Sequence, residues 1–476
     1  MAEQTLARQL AAFAARTAAE PLPERLATSV RQRVLDILGL CVAAHRLPTS
    51  RAALDYVADQ GGRAHAHVVG LPDAVPAAQA AFGNGVLAHS LDYDDTHLPS
   101  VLHPSAAVVP AALAAAQAAG ADGAALTNAV AVGIEVTVRL GMAGFDPVLN
   151  NSVFFEHGQH ATSICGAMGG AVAAGMLLGL DEDGLLDVLG VTASMASGVI
   201  EANRTGGTVK RLHCGWAAHS AVTAADLVRR GFTGPPTVLE GRFGFFTAFL
   251  RGEADHDQVT DGLGERWAVP DIFFKPYPAN HFTHAAIDAG LALRAQGVPV
   301  DRIEHIELRV PAAVIRTIGE PIATKRAPDT GYQAQFSGPY AVVAGLLGGG
   351  GLGLGLEDFT DELARDPQRR ALMARVDVVP DDECNTIFPH QFPAIVAVRT
   401  DDGRTWREEV LTNRGGPQRP LSDAELALKF RDNVAGRVDP DTADRVVATV
   451  LGLADVTDVG DLLRPLTRLR SGTGSD

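Results

Sequence analysis

Cysteine is scarce in this chain of 476 residues. The four cysteines, Cys41, Cys165, Cys214 and Cys384, are scattered and form no CxxC pair. That argues against a disulfide framework, a cysteine-rich zinc site and an iron–sulfur cluster, which needs three or four suitably spaced thiolates. Aromatic residues make up only 5% of the chain, whereas Gly and Ala are abundant, a composition that favours closely packed helices. Basic charge is in deficit. The formal net charge of -16 argues against a sequence-independent grip on nucleic acid or an anionic membrane, although a locally basic pocket for a small anion remains compatible with it. One uncharged run of about membrane length, "ATSICGAMGGAVAAGMLLGL" (161–180), is dominated by small residues and predicts a buried core helix. The N-terminal stretch mixes Arg and Glu into an Ala-rich helical pattern and lacks the uncharged core and cleavage site of a signal peptide. A cytoplasmic protein is expected.

What is present is mostly helical period. In "SVRQRVLDILGLCVAAHR", Val30, Val34, Ile37, Leu38 and Cys41 recur at three- and four-residue steps. "SAAVVPAALAAAQAAG" ends at a helix-terminating Gly. The period changes after residue 300. "IEHIELRVP" alternates as a half-buried strand, "MARVDVVP" reads as a second, and "FPAIVAVRTDDGRTWREEVL" as two strands about a turn at Asp402-Gly403. "QFSGPYAVVAGLL" is helical. "LSDAELALKFRDNVAG" returns to helix, with Ser422 and Glu425 spaced as a capping box. The expected architecture is mainly α: helical parts at 1–273 and 418–476, with an α+β segment at 274–417 inserted between them. "GLLGGGGLGLGLED" has glycine spacings like a dinucleotide fingerprint, but it follows a helix and lacks a βαβ setting, so it is read as a loop.

Five segments combine ionisable residues with Gly or Pro punctuation. They are "SLDYDDTHLPSVLHPS", "FFEHGQHATS", "GGTVKRLHCGWAAHS", "FFKPYPANHFTHAAID" and "DDECNTIFPHQFPA". In the first, Asp92, Asp94 and Asp95 crowd within four positions, and carboxylates so close repel unless something compensates. Each segment also has a plain structural reading, as a cap, a solvated loop or a core histidine. A divalent ion on the aspartates with His103 is one alternative, but there is no HExxH motif, and Lys210-Arg211 would be poor neighbours for a cation.

Taken together, these stretches resemble the MmgE/PrpD family, which includes 2-methylcitrate dehydratase, cis-aconitate decarboxylase and iminodisuccinate epimerase. The matching stretches are "GNGVLAHSLDYDDTH" with "HPSAAVVPAALA", "HATSICGAMGGAVAAGMLLGLD", "KRLHCGWAAHSAVTAADLVRRGFTGPPTVLEGRFGFF", "KPYPANHFTHAAIDA", "QAQFSGPYAVVAGLL" and "FPAIVAVRTDDGRTW". They run in family order over roughly residues 5 to 435. The resemblance implies a large helical domain built from N- and C-terminal parts, an α+β lid domain, a homodimer, a cleft between domains and no required metal or organic cofactor. It also implies that Asp92, Thr96, His103, His160, Lys210 and His284 surround a small di- or tricarboxylate.

Removing a proton next to a carboxylate demands cations to neutralise substrate and enediolate, together with a positioned base and acid, roles that suit histidine. His160 or His103 is expected to handle the α-proton. Lys210 would hold carboxylates, with Arg211 or Lys275. Asp92 would orient a His or Lys, and His284 would close the site. Arg204 is a further candidate carboxylate contact, and Glu156 and His157 are candidates for shaping selectivity. Some decarboxylase members carry a lid Tyr soon after the strand matching 303–310. Here that stretch reads "AAVIRTIG" and the next Tyr is Tyr332. The resemblance therefore leads to a cofactor-independent lyase, with dehydration of the 2-methylcitrate type first. Epimerisation or isomerisation and decarboxylation follow, and a non-catalytic carboxylate-binding relative or a metal hydrolase stand as alternatives from other classes.

Overall fold

The computed structural model describes residues 4–149, 151–202 and 207–470. They divide into two compact units. The first takes the chain up to Ile272 and from Val434 onward, and the second is Phe273–Asn433.

The first unit is a packing of Ala- and Gly-rich helices. Gly123–Ala143, Ala161–Leu177, Leu212–Val228, Pro104–Ala119 and Ala77–His89 pack on one another. Small residues permit the closeness. A Cβ on Gly169 would lie 2.1 Å from both the Gly133 carbonyl oxygen and Thr137 Oγ1, so the 161–177 helix meets the 123–143 helix almost backbone to backbone. The uncharged run at 161–180 is thus a core helix, buried nearly throughout. Gly123–Ala143 is the one helix among the described residues long and apolar enough to cross a membrane, and most of it is buried. Its buried Glu135 and Arg139 pair at 2.7 Å, and Arg139 also donates to the main-chain carbonyls of Val259, Asp261 and Arg266. Those bonds make a charged pair tolerable inside the unit.

Two sheets are present among the described residues of the fold. A minimal ribbon joins β1 (Phe145–Asp146) to β2 (Asn151–Ser152). In the second unit β3 (Ile303–Val310), β4 (Val376–Pro380), β5 (Ala394–Thr400) and β6 (Thr405–Val410) form one sheet in the order β4-β3-β5-β6. The alternation in β3 buries Ile306, Leu308 and Val310. The β5–β6 hairpin turns at Gly403 with φ +80°, as the Asp402-Gly403 pair predicts. The helices His284–Ala295 and Gly338–Leu347 pack together beside the sheet, and their apolar faces and the inner face of the sheet share one core.

The glycine stretch after residue 347 is a loop. Asp358 Oδ2 accepts from the Gly350 and Gly355 amides, which pins it without any strand–loop–helix phosphate cradle. The capping box forms, with Glu425 Oε2 accepting from the Ser422 amide at 2.8 Å and Ser422 Oγ from the Glu425 amide at 3.3 Å. The second unit ends at 433 rather than at the expected 417. The glycines at 415 and 416 look like a boundary, but Arg414 pairs with Glu425 at 2.6 Å and ties most of the Asp423–Val434 helix to the inserted unit.

Candidate active site

Four helix ends of the first unit carry the cluster. His89 ends the Ala77–His89 helix. His103 and His160 stand at the N-cap positions of Pro104–Ala119 and Ala161–Leu177. Lys210 lies in a 3-10 turn, Val209–Arg211, that leads into Leu212–Val228. The three N-termini are stitched together: the His103 amide donates to Thr162 Oγ1 at 3.2 Å, and Ser163 Oγ donates to the His213 carbonyl at 3.1 Å. Helix N-termini favour negative charge, so this end of the unit is suited to an anion.

The crowded aspartates are separated by giving each its own partner. Asp92 adopts a left-handed backbone, φ +52°, which Asp tolerates better than most residues. Its Oδ1 meets Lys210 Nζ at 3.3 Å, with the Lys210 side chain 30% exposed. Asp94 is fully buried and its Oδ2 accepts from His89 Nδ1 at 2.8 Å, with His103 Nδ1 at 3.8 Å. Asp95 Oδ2 pairs with Arg33 Nη1 at 2.6 Å and accepts from Ser105 Oγ at 2.5 Å. Arg33 Nη2 also donates to the carbonyls of Val269 and Ile272. Lys210 meets Asp92, whereas Asp94 and Asp95 have partners from two other helices.

The imidazoles form a contiguous row. Ring centroids are 5.3 Å apart for His103–His89, 5.7 Å for His89–His160 and 4.7 Å for His160–His213. His103 Nδ1 lies 2.7 Å from the Asp95 carbonyl oxygen. A carbonyl only accepts, so Nδ1 carries the hydrogen and Nε2 is the nitrogen left for chemistry. The two Nδ1 atoms of His160 and His213 are 2.9 Å apart. One must donate and the other accept, so the pair can carry at most one positive charge. Burial, followed by the charges around it, those of His89 and Lys210 among them, holds His160 well below its ordinary value. Burial with His89 and Lys210 pushes His213 down to about 4. For His89 burial acts the other way from its neighbours Cys214 and Asp94, which outweigh it and push the imidazole up to about 10.

Asp92, Thr96, His103, His160 and Lys210 are thus gathered in one place, and Thr96 Oγ1 lies 3.4 Å from His103 Nδ1. Arg211 is not gathered with them. Successive residues of a 3-10 turn point about 120° apart, and Arg211 Nη1 donates to Thr49 Oγ1 at 2.8 Å. Arg204 lies outside the described residues. His157 Nδ1 donates to the Phe249 carbonyl and Glu156 accepts from Asn151. His97 Nδ1 bonds Ser100 Oγ at 2.6 Å within the same loop.

Lys275 and His284 belong to the second unit, where both are buried. His284 Nε2 donates to the Ala279 carbonyl at 3.1 Å and its ring packs on His281, with centroids 4.6 Å apart. Tyr277, 5.4 Å from the His284 ring, donates to Asp288 Oδ1 at 2.5 Å.

Sequence reasoning passed over His89 and Arg33 and assigned no chemistry to Asp94 or His213. Arg33 had a signal, since it falls three residues after Val30 and four before Ile37, on the apolar stripe of its helix. His89 closes a largely apolar helix. Oxygen and nitrogen atoms of Asp92, Asp94 and His103 lie within 4.8 Å of one another, a spacing that would suit a cation. The donors are engaged, however, by Lys210, His89 and the Asp95 carbonyl, and two cationic side chains beside them oppose a third positive charge. As arranged, the set does not fit a metal.

Comparison with known proteins identifies the family. The MmgE/PrpD N-terminal domain matches residues 8–257 and the MmgE/PrpD C-terminal domain residues 277–454. The human cis-aconitate decarboxylase is 31% identical over 462 residues, 92% of this chain and 89% of that protein. The Aspergillus terreus cis-aconitate decarboxylase is 24% identical across 98% of this chain and 96% of its own length. The 2-methylcitrate dehydratase of Salmonella typhimurium is 26% identical over 88% of each. On the strength of the two domain matches and of this similarity along nearly the whole length, the chain belongs to the MmgE/PrpD family.

Proposed function

We propose that this protein is a lyase that takes a proton from the carbon next to a carboxylate of a small di- or tricarboxylate, using its own side chains as base, acid and countercharge. One observation carries the reading: a buried, uncharged His160–His213 pair in a cluster with the Lys210–Asp92 pair and beside three helix N-termini. A carbon acid adjacent to a carboxylate is weak because the enediolate gathers charge on one carboxyl group. Lys210 and the helix N-termini stabilise that charge, and an uncharged imidazole accepts the proton.

Dehydration is the finer reading that this geometry favours. His160, uncharged at neutral pH, begins as a base. The proton leaves carbon for the imidazole, the C–H electron pair becomes the new double bond, and the β-hydroxide departs as water after taking a proton from a general acid. The "AAVIRTIG" stretch, Ala312–Gly319, also has no Tyr, and Tyr332 is 59% exposed. Decarboxylation of cis-aconitate is the second reading, supported by the 31% identity to the human decarboxylase.

Incubation in D2O with 2-methylcitrate, citrate and cis-aconitate, followed by NMR, tests both readings. A new alkene signal from a hydroxy acid is the expected result. Release of CO2 from cis-aconitate establishes the second reading instead. Deuterium exchange without net change indicates epimerisation. His160→Ala and Lys210→Ala should each abolish turnover in folded protein, and near-normal rates in both overturn the assignment.

A further inference from the structure

We propose that His89, clamped to Asp94 and packed between the rings of His103 and His160, is a positioning residue that carries a fixed positive charge and so keeps His160 uncharged. The inference rests on the proton-transfer reading for its consequence, but not for its observation.

The charge follows from matching. Asp94 is fully buried, and an ionised carboxylate there needs a countercharge. Arg33 answers Asp95 and Lys210 answers Asp92. His103 has its Nδ1 hydrogen on the Asp95 carbonyl at 2.7 Å. His89 Nδ1 sits at 2.8 Å from Asp94 Oδ2, and its ring is the one next to both His103 and His160. Cys214, from the helix that also bears His213, faces the same ring.

The consequence falls on His160. A unit positive charge centred 5.7 Å away disfavours a second one. At an effective dielectric constant of about 20 this amounts to roughly one to two pH units. The groups facing His160 are His89, His213, Lys210 and His103, and all of them act in the same direction. His89 therefore keeps His160 available as an acceptor at pH values where an ordinary imidazole would be protonated. The shift of His89 itself agrees in sign, since Cys214 and Asp94 outweigh burial.

The test is ring-15N NMR of the full-length protein labelled at histidine, in which imidazolium and imidazole nitrogens have distinct shifts. In the unaltered protein one histidine should remain an imidazolium at pH 8.5. Absence of any such signal overturns the proposal without needing a variant to fold. In His89→Gln that signal should vanish, and the His160 midpoint, assigned with His160→Gln, should rise by about one to two units. An unmoved midpoint overturns the proposal as well. If the substrate is identified, the acid limb of kcat/KM should move upward by the same amount, which simple loss of packing would not produce. Expected spectra with no turnover of any carboxylate would reject the functional reading and leave the charge on His89 standing.

Discussion

Arg33→Met is the perturbation with the clearest calculable cost. The guanidinium and the Asp95 carboxylate are 0% and 1% exposed and 2.6 Å apart. Their replacement partners in the variant would be nothing for Asp95 and nothing for the Val269 and Ile272 carbonyls that Arg33 Nη2 now serves at 2.8 and 2.9 Å. Breaking a buried pair from one side costs about 3–5 kcal/mol, and each lost carbonyl bond adds roughly 1 kcal/mol. A loss of about 5–7 kcal/mol is therefore expected. Asp95→Asn keeps a group that can bond Ser105 but removes the charge. The double variant should be more stable than the sum of the singles by about 1–3 kcal/mol. Urea unfolding read by tryptophan fluorescence suits the measurement, because Trp216 and Trp267 report on the first unit and Trp406 on the second. The transition seen by the first unit should move and its slope should not. A cost below about 1 kcal/mol for Arg33→Met, or strict additivity in the double variant, refutes the claim that this pair anchors the aspartate loop.

Three further outcomes are expected. Gly169→Ala places a methyl group 2.1 Å from the Gly133 carbonyl and should lower stability by about 1–3 kcal/mol, whereas Gly179→Ala, with open space around its Cβ but φ +77°, should lose only about 1 kcal/mol of backbone strain; thermal melts compare the two. Lys210→Met removes a pair that is 30% and 16% exposed, so unfolding should change by no more than about 1 kcal/mol while turnover falls by at least about a hundredfold, and parallel losses in both would mark Lys210 as structural. Stability should peak near pH 6.5. His97 and His213, each held at about 4 when folded, contribute above the unfolded value of about 6.5 and lose up to about 3 kcal/mol each as the pH falls toward 4. His89, at about 10 when folded, contributes fully below about 6.5 and loses its share as the pH rises toward 10. A urea midpoint that stays flat from pH 4.5 to 6.5 contradicts the burial of uncharged histidines.

Local signals in the sequence reached a long way. The period of three to four residues in Val30–Cys41, the alternation in Ile303–Val310, the turn at Asp402-Gly403 and the Ser422–Glu425 cap all depend on sterics and hydrogen bonds within a few residues, so each is legible without the fold. The family motifs likewise pointed to Asp92, Thr96, His103, His160 and Lys210. What the chain order could not reveal was pairing. Arg33 and Asp95 are 62 residues apart, and His160 and His213 are 53 apart. Electrostatic partnership depends on distance through space and on burial, neither of which is encoded at the residue itself. Tertiary packing alone decided that three neighbouring aspartates have three different partners, that Arg211 turns to Thr49 while Lys210 meets Asp92, and that a row of imidazoles lies where the sequence shows four separate histidines.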